Sequence, residues 1–137
     1  MQEFIDTKEL GTNYVFFADD LGIASIFPSL KHRLAELKHQ HTSLFYCSLN
    51  HQHAFERELE ILQKYFPARF FLSYHSRTNS GCCNIEQEDV EAVLNANTMT
   101  IMKFIISGNE TFVEEIKKIL LFLGITHIQI HEQFFSE

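Results

Sequence analysis

The sequence predicts an α/β protein: a three-layer, doubly wound sheet of five parallel strands with helices on both faces. Three observations predict it. Short apolar runs rich in aromatic and β-branched residues alternate with longer stretches of helical period, the pattern of repeated strand-helix units. None of these runs shows strict polar alternation, so each reads as a strand buried on both sides. The length of 137 residues suits one domain of this architecture and leaves no room for a second.

The predicted strands are Tyr14 to Ala18, Ser43 to Leu49, Arg69 to His75, Ile101 to Ser107 and Thr126 to His131. Between them, helices are predicted over Ile23 to Lys38, Ala54 to Tyr65, Gln87 to Ala96 and Thr111 to Leu123. Pro28 belongs in a first helical turn, where a missing N–H costs least, and this sets the first helix start near Ser25. In the last helix Phe112, Ile116, Ile119, Leu120 and Leu123 form an apolar stripe, with Glu114, Glu115, Lys117 and Lys118 as a solvated face. Gly124 stands where a left-handed cap belongs. Residues 1–13 form a lead-in, with Asp6 to Asn13 suited to a connection from a preceding domain, and 14–137 form the single domain. Ser76 to Glu86 is the longest irregular stretch, either a binding loop or a long crossover.

Hydrophobic residues make up 45% of the chain and include fourteen Phe, ample for an autonomous core. The net charge of −7 and the scattering of eleven Lys and Arg disfavour nucleic acid, which demands a continuous basic footprint. No apolar run approaches the roughly 20 residues that cross a bilayer, and MQEFIDTKEL lacks a signal core; the expected location is the cytoplasm, away from membranes. Cys47, Cys82 and Cys83 make no disulfide framework, which fits a reducing compartment; redox activity of the adjacent pair is a side hypothesis. Self-association into a homo-oligomer is compatible with the sequence.

Right-handed crossovers bring the carboxyl ends of all five strands to one sheet edge, where doubly wound proteins bind ligands. That edge collects Asp19, Asp20 and Gly22; Asn50, His51 and His53; Ser76 and Arg77; Ser107, Gly108 and Asn109; and Glu132 to Phe135. His39-x-His41 and His51-x-His53 suggest a metal. The intervening strand, about nine residues at ~3.3 Å each, puts the pairs nearly 30 Å apart, so one tetrahedral site cannot use both, and no metal is assigned. Asp19 and Asp20 suggest the acidic pair of a receiver domain, but Ser73 to Ser76 offer no phosphoacceptor Asp and Ile130 to Glu132 no Lys. Ser107-Gly108 lacks the G-x-S-x-G context of a hydrolase nucleophile and reads as a hydroxyl capping the last helix beside a closely packed glycine.

The ordered edge motifs resemble those of the NAD(P)H-binding, carboxyl-terminal domain of ferredoxin-NADP reductase-like flavoproteins. Residues 14–25 are similar to that family's first strand and A-G-G-x-G-I-A-P turn. Phe104 to Phe112, followed by Leu123-Gly-Ile125, is similar to its C-G-P-x-x-M segment and terminal L-x-x-x-G-V. The ending from Ile130 to Phe134 is similar to its closing I-x-x-E-x-F, with Glu132 and Phe134 taken as glutamate and aromatic. Gly22, Ile23 and Ala24 match the turn; Asp19 and Asp20 replace two glycines, Ser25 a proline and Ser107 a cysteine.

The resemblance implies a Rossmann-like domain of ferredoxin reductase type that binds NAD(P)H and passes hydride to FAD or FMN held by a partner domain or subunit. It implies that Asp20, Gly22, Ile23, Ala24 and Ser25 lie along the diphosphate, and that Ser107, Gly108, Asn109 and Phe112 lie toward the nicotinamide. It also implies that Ser107 and Glu132 serve catalysis and that Phe134 adjoins the flavin. Two carboxylates beside a diphosphate would oppose it, since charges 4 Å apart interact by roughly 4 kcal/mol at an effective dielectric of about 20. The alternative is a non-enzymatic interaction or regulatory module on the same scaffold.

Overall fold

The structure, a computed structural model, describes residues 12–36, 41–48, 53–76, 85–95 and 101–135. In chain order the elements are β1 (Thr12–Asp19), α1 (Ile23–Glu36), β2 (Thr42–Ser48), α2 (Glu56–Tyr65), β3 (Phe70–Ser76), α3 (Gln87–Asn95), β4 (Ile101–Gly108), α4 (Glu110–Phe122) and β5 (Ile130–Phe134). The sheet order is β3-β2-β1-β4-β5 and every pairing is parallel. The predicted doubly wound fold is the one observed. Leu49, Arg77, Cys82, Cys83, Asn50, His51, His39, Ala96 and the end of the first helix lie outside the described residues, as does most of the lead-in.

Alternation along β1 explains why both sheet faces are covered. Tyr14, Phe16 and Ala18 pack with Ile23, Ile26, Leu30 and Leu34 of α1 and with Leu59 and Leu62 of α2. Val15 and Phe17 turn the other way, into a cluster with Val90 and Val93 of α3 and Phe112, Val113, Ile116 and Leu120 of α4. Each face therefore carries two helices, and the central strands have no polar side to expose.

Several boundaries differ from expectation, each for a local reason. α1 starts at Ile23, so Pro28 lies beyond the first turn. It takes the N–H that would serve the Ala24 carbonyl; both residues are on the exposed face, where water can do so. α2 starts two residues later than expected because Phe55 adopts φ 63°, a left-handed turn that heads the helix. Its ring stacks on Phe27 of α1 at 4.7 Å, which offsets the strain of a non-glycine there. The apolar stripe of α4 also contains Val113, and its N-cap is Asn109.

The fifth strand is the largest correction. It spans Ile130–Phe134, and His127–Gln129 forms one turn of 3₁₀-helix before it. The Gln129 Oε1 accepts from the Thr126 hydroxyl and amide at 3.0 and 3.3 Å, while its Nε2 donates to the Met102 carbonyl at 3.0 Å. Thr followed three residues later by Gln is a helix-start signal. It outweighs the β-branched character of Thr126. After α4, Gly124 adopts φ 95° and the amides of Gly124 and Ile125 return to the Leu121 and Leu120 carbonyls, a complete left-handed cap.

Candidate functional site

β1 and β4 end side by side, with Ala18 opposite Ser107. Asp19, 3% exposed, closes β1 with its carboxylate turned inward. Oδ1 accepts from the amides of Leu21 and Gly22 at 2.9 and 3.0 Å, and Oδ2 accepts from the amide of Asn109 at 2.9 Å. Three charge-assisted bonds therefore hold the carboxylate between the β1 turn and the start of α4. A carboxylate so held does not point at a ligand on the edge.

The two glycines of this corner serve close packing. A Cβ on Gly22 would sit 1.9 Å from the Ser107 carbonyl oxygen, and one on Gly108 would sit 2.5 Å from the Asp19 carboxylate. The helix that follows starts openly: Ala24 and Ser25 are exposed, whereas Ile23 is buried. The first intrahelical bonds run from the amides of Ser25 and Ile26 to the Gly22 carbonyl. The amides of Ile23 and Ala24 precede them, at the positive end of the helix dipole.

Asp20 turns toward β2. Tyr46 Oη donates to its Oδ1 and Ser48 Oγ to its Oδ2, each at 3.3 Å. Tyr46 Oη also accepts from the Ala54 amide at 2.9 Å. Burial foremost pushes the Tyr46 phenol well above its ordinary pKa; the Ala54 bond opposes this and the Asp20 charge adds to it. His53 packs edge-on against Tyr46 and donates from its Nε2–H to the His75 carbonyl at 3.0 Å. His41 and His53 stand at opposite ends of β2, and among the described residues no three His, Cys, Asp or Glu side chains gather to hold a metal.

β5 completes the edge, and its register changes which residue faces the cleft. Ser107 is opposite Gln133. Gln133 Oε1 accepts from Ser107 Oγ at 3.1 Å and from Ser25 Oγ at 2.9 Å, bridging β4 to the start of α1. Ser107 Oγ also lies 3.3 Å from the Gly22 carbonyl, so its hydroxyl serves this bridge and Asn109 caps α4 in its place, accepting from the Phe112 amide at 2.9 Å. Glu132 points to the other side of the strand and pairs with Lys117 of α4 at 2.7 Å. Lys117 is thus a strand partner, contrary to the expectation of a solvated face.

Counted from Ile130, the pattern I-x-x-E-x-F falls on Gln133 and Phe135, one residue beyond the Glu132 and Phe134 expected from sequence. In a strand that single step moves a side chain to the opposite face. Phe134 and Phe135 are both exposed, and Phe112 is fully buried in the core beneath α4. The edge thus gathers Asp19, Asp20, Gly22 to Ser25, Ser107 to Asn109 and Gln133, and sends Glu132 and the Phe112 ring elsewhere. Gln133 lies within the edge segment Glu132 to Phe135 expected from sequence but takes the role expected of Glu132, and the motif spacing is the signal that marks it.

A second polar group lies on β3. Ser73 Oγ hydrogen-bonds His75 Nε2, the His75 ring stacks on Phe45 at 3.9 Å, and its Nδ1 lies 3.9 Å from Asp89 Oδ2. Burial lowers the His75 pKa; the Asp89 charge opposes that and His53 adds to it.

The sequence matches no protein-family model and no curated protein. Solved structures do match. The CS-b5R domains of human Ncb5or in the NAD+ form align with TM-score 0.73 at 15% identity, over 96% of this chain and 39% of that one. A ferredoxin-NADP+ reductase variant from Plasmodium falciparum in complex with 2′P-AMP aligns with TM-score 0.69 at 18% identity, over 96% and 57%. Flavohemoglobin from Malassezia yamatoensis with bound FAD and heme aligns with TM-score 0.74 at 14% identity, over 93% and 32%. The chain therefore has the fold of the NAD(P)-binding domain of ferredoxin reductase type. It spans between about a third and just over half of the length of these structures. Among the described residues no helix is long and apolar enough to cross a membrane.

Proposed function

We propose that the chain is the NAD(P)H-binding domain of a flavin-dependent oxidoreductase, acting with FAD or FMN held by another domain or subunit. The carrying observation is the inward Asp19: its charge is met by three amides, which leaves the exposed start of α1 open to a phosphate. The residues present fit such a group. The amides of Ile23 and Ala24 and the Ser25 hydroxyl would receive the diphosphate at a helix N-terminus. Ser107 and Gln133, joined across the cleft, would position the nicotinamide against the flavin. The bound nicotinamide supplies a hydride, two electrons with one proton, that a flavin accepts. Phe134 and Phe135, exposed at the end of β5, would border the flavin-bearing partner.

Calorimetric titration with NADH and then NADPH, at low salt with and without magnesium, tests this reading. Saturable binding supports it; no saturable heat up to millimolar nucleotide overturns it.

One observation favours a second reading, a non-enzymatic interaction or regulatory module. Asp19 already engages the Leu21 and Gly22 amides, two donors that a diphosphate would otherwise use. Replacing Asp19→Gly and Asp20→Gly together discriminates: a folded double variant that gains nucleotide binding absent from the parent favours the module.

A further inference from the structure

We propose that Asp20 makes the site selective for a dinucleotide whose adenosine ribose carries a free 2′-hydroxyl, NADH, and against the 2′-phosphorylated form. The inference rests on the nucleotide-site reading above and concerns which nucleotide that site takes. Asp19 is opposite Cys47 in the β1-β2 register, so Asp20 follows the sheet edge to the last residue of β2, Ser48. There the Tyr46 and Ser48 hydroxyls hold its two oxygens from separate positions of the same strand. Tyr46 is itself fully buried and fixed by the Ala54 amide, so the hydroxyl that holds the carboxylate stands on a rigid support.

A dinucleotide whose diphosphate lies at the start of α1 runs its adenosine toward the carboxyl end of the second strand. A 2′-phosphate carries between one and two negative charges near neutral pH. Set against a fixed carboxylate in a partly desolvated corner, it meets repulsion that a neutral hydroxyl does not. Asp19, one residue earlier, makes no such contribution, because its carboxylate is turned between β1 and α4.

Calorimetric titration of the intact chain tests the proposal. NADH should bind at least roughly tenfold tighter than NADPH at low ionic strength, and Asp20→Asn should bring the two within about threefold, chiefly by tightening NADPH. Equal binding in the parent, a preference for NADPH, or an unchanged tenfold preference in Asp20→Asn would overturn the role of Asp20 while leaving the nucleotide site standing. Binding of neither nucleotide overturns the site reading, and this proposal with it. Should Asp20→Asn fail to fold by circular dichroism, the parent's NADH:NADPH ratio is followed from low to high salt. A charge-based preference shrinks with screening, and a salt-independent ratio overturns the proposal.

Discussion

The Asp19 carboxylate and the Asn109 amide, 90 positions apart in the chain, meet at 2.9 Å and fasten the end of β1 to the start of α4. Both residues depart from the motifs the sequence resembles, Asp19 standing at a glycine and Asn109 at a proline. A proline has no N–H to give, so the bond exists only because both departures are present. Asp19→Ala should lower stability by about 2–4 kcal/mol, since it strips a charge-assisted acceptor from three amides; Asp19→Asn, which keeps one acceptor oxygen, should cost about half as much. Urea unfolding monitored by circular dichroism reads both, and equal stability of all three proteins would contradict the bonding described.

Gly22 and Gly108 should respond differently to one added methyl group. Gly22→Ala drives a Cβ into the Ser107 backbone and should cost more than about 3 kcal/mol or prevent folding. Gly108→Ala meets the Asp19 carboxylate first, a side chain. Its cost should therefore shrink when Asp19→Ala is present, and a double-mutant cycle should show coupling of about 1 kcal/mol or more.

The strand-helix alternation made the fold legible, because buried parallel strands advertise themselves as apolar runs and their order fixes which strand ends share an edge. Side-chain direction at that edge was less legible. The sequence treats Asp19 and Asp20 as equivalent charges, yet successive residues leaving a strand diverge, one toward α4 and the other toward β2. Glu132 matches the glutamate of the closing motif in kind and Gln133 matches it in position, and the register that sets Gln133 opposite Ser107 follows the 3₁₀ turn initiated by Thr126. Phe55 in a left-handed conformation had no signal at all, since only its stacking on Phe27 makes that geometry tolerable.

If Gln133 is the cleft residue, it and Glu132 should separate cleanly in mutation. Gln133→Ala should weaken nucleotide binding about tenfold or more by releasing Ser25 and Ser107 together. Glu132→Ala should leave affinity within about twofold and cost at most about 1 kcal/mol of stability, the usual worth of a partly exposed ion pair. Titration calorimetry and urea unfolding of both variants supply the comparison.

Below neutral pH, His75 should govern part of the stability profile. Burial places its folded-state pKa below the ordinary 6.5, so the unfolded chain binds the proton more readily. The contribution is complete above about pH 6.5 and is lost as pH falls through the lowered value. His75→Phe, which keeps a ring against Phe45, should show a shallower loss between pH 7 and pH 5.5 in denaturant titrations.

Tyr74 gives the opposite sign at alkaline pH. Burial first, with the charges of Glu56 and Glu60, pushes its phenol up to about 12 from 10.0. Its stabilising contribution is therefore whole below pH 10 and is lost as pH rises through 12. The hydroxyl is buried and has no hydrogen-bond partner among the described residues, so Tyr74→Phe should be neutral or stabilising by up to about 1 kcal/mol near pH 7 and should lessen the alkaline loss.

The order β3-β2-β1-β4-β5 places β1, the first of the described strands, at the centre, with β4 as one of its two neighbours. Pairing Val15 with Phe104 demands closure of a long loop, whose entropy is lost before the contact repays it. As the chain emerges during synthesis, β1 can pair with β2 and α1 can settle on one face, but the opposite face stays uncovered until α3 and α4 exist. The interval leaves Val15, Phe17 and Phe45 without their cover and one side of the central strand open to pairing. Refolding of this domain should consequently be slow for its size and sensitive to protein concentration, with the Asp19-to-Asn109 junction among the last parts to close.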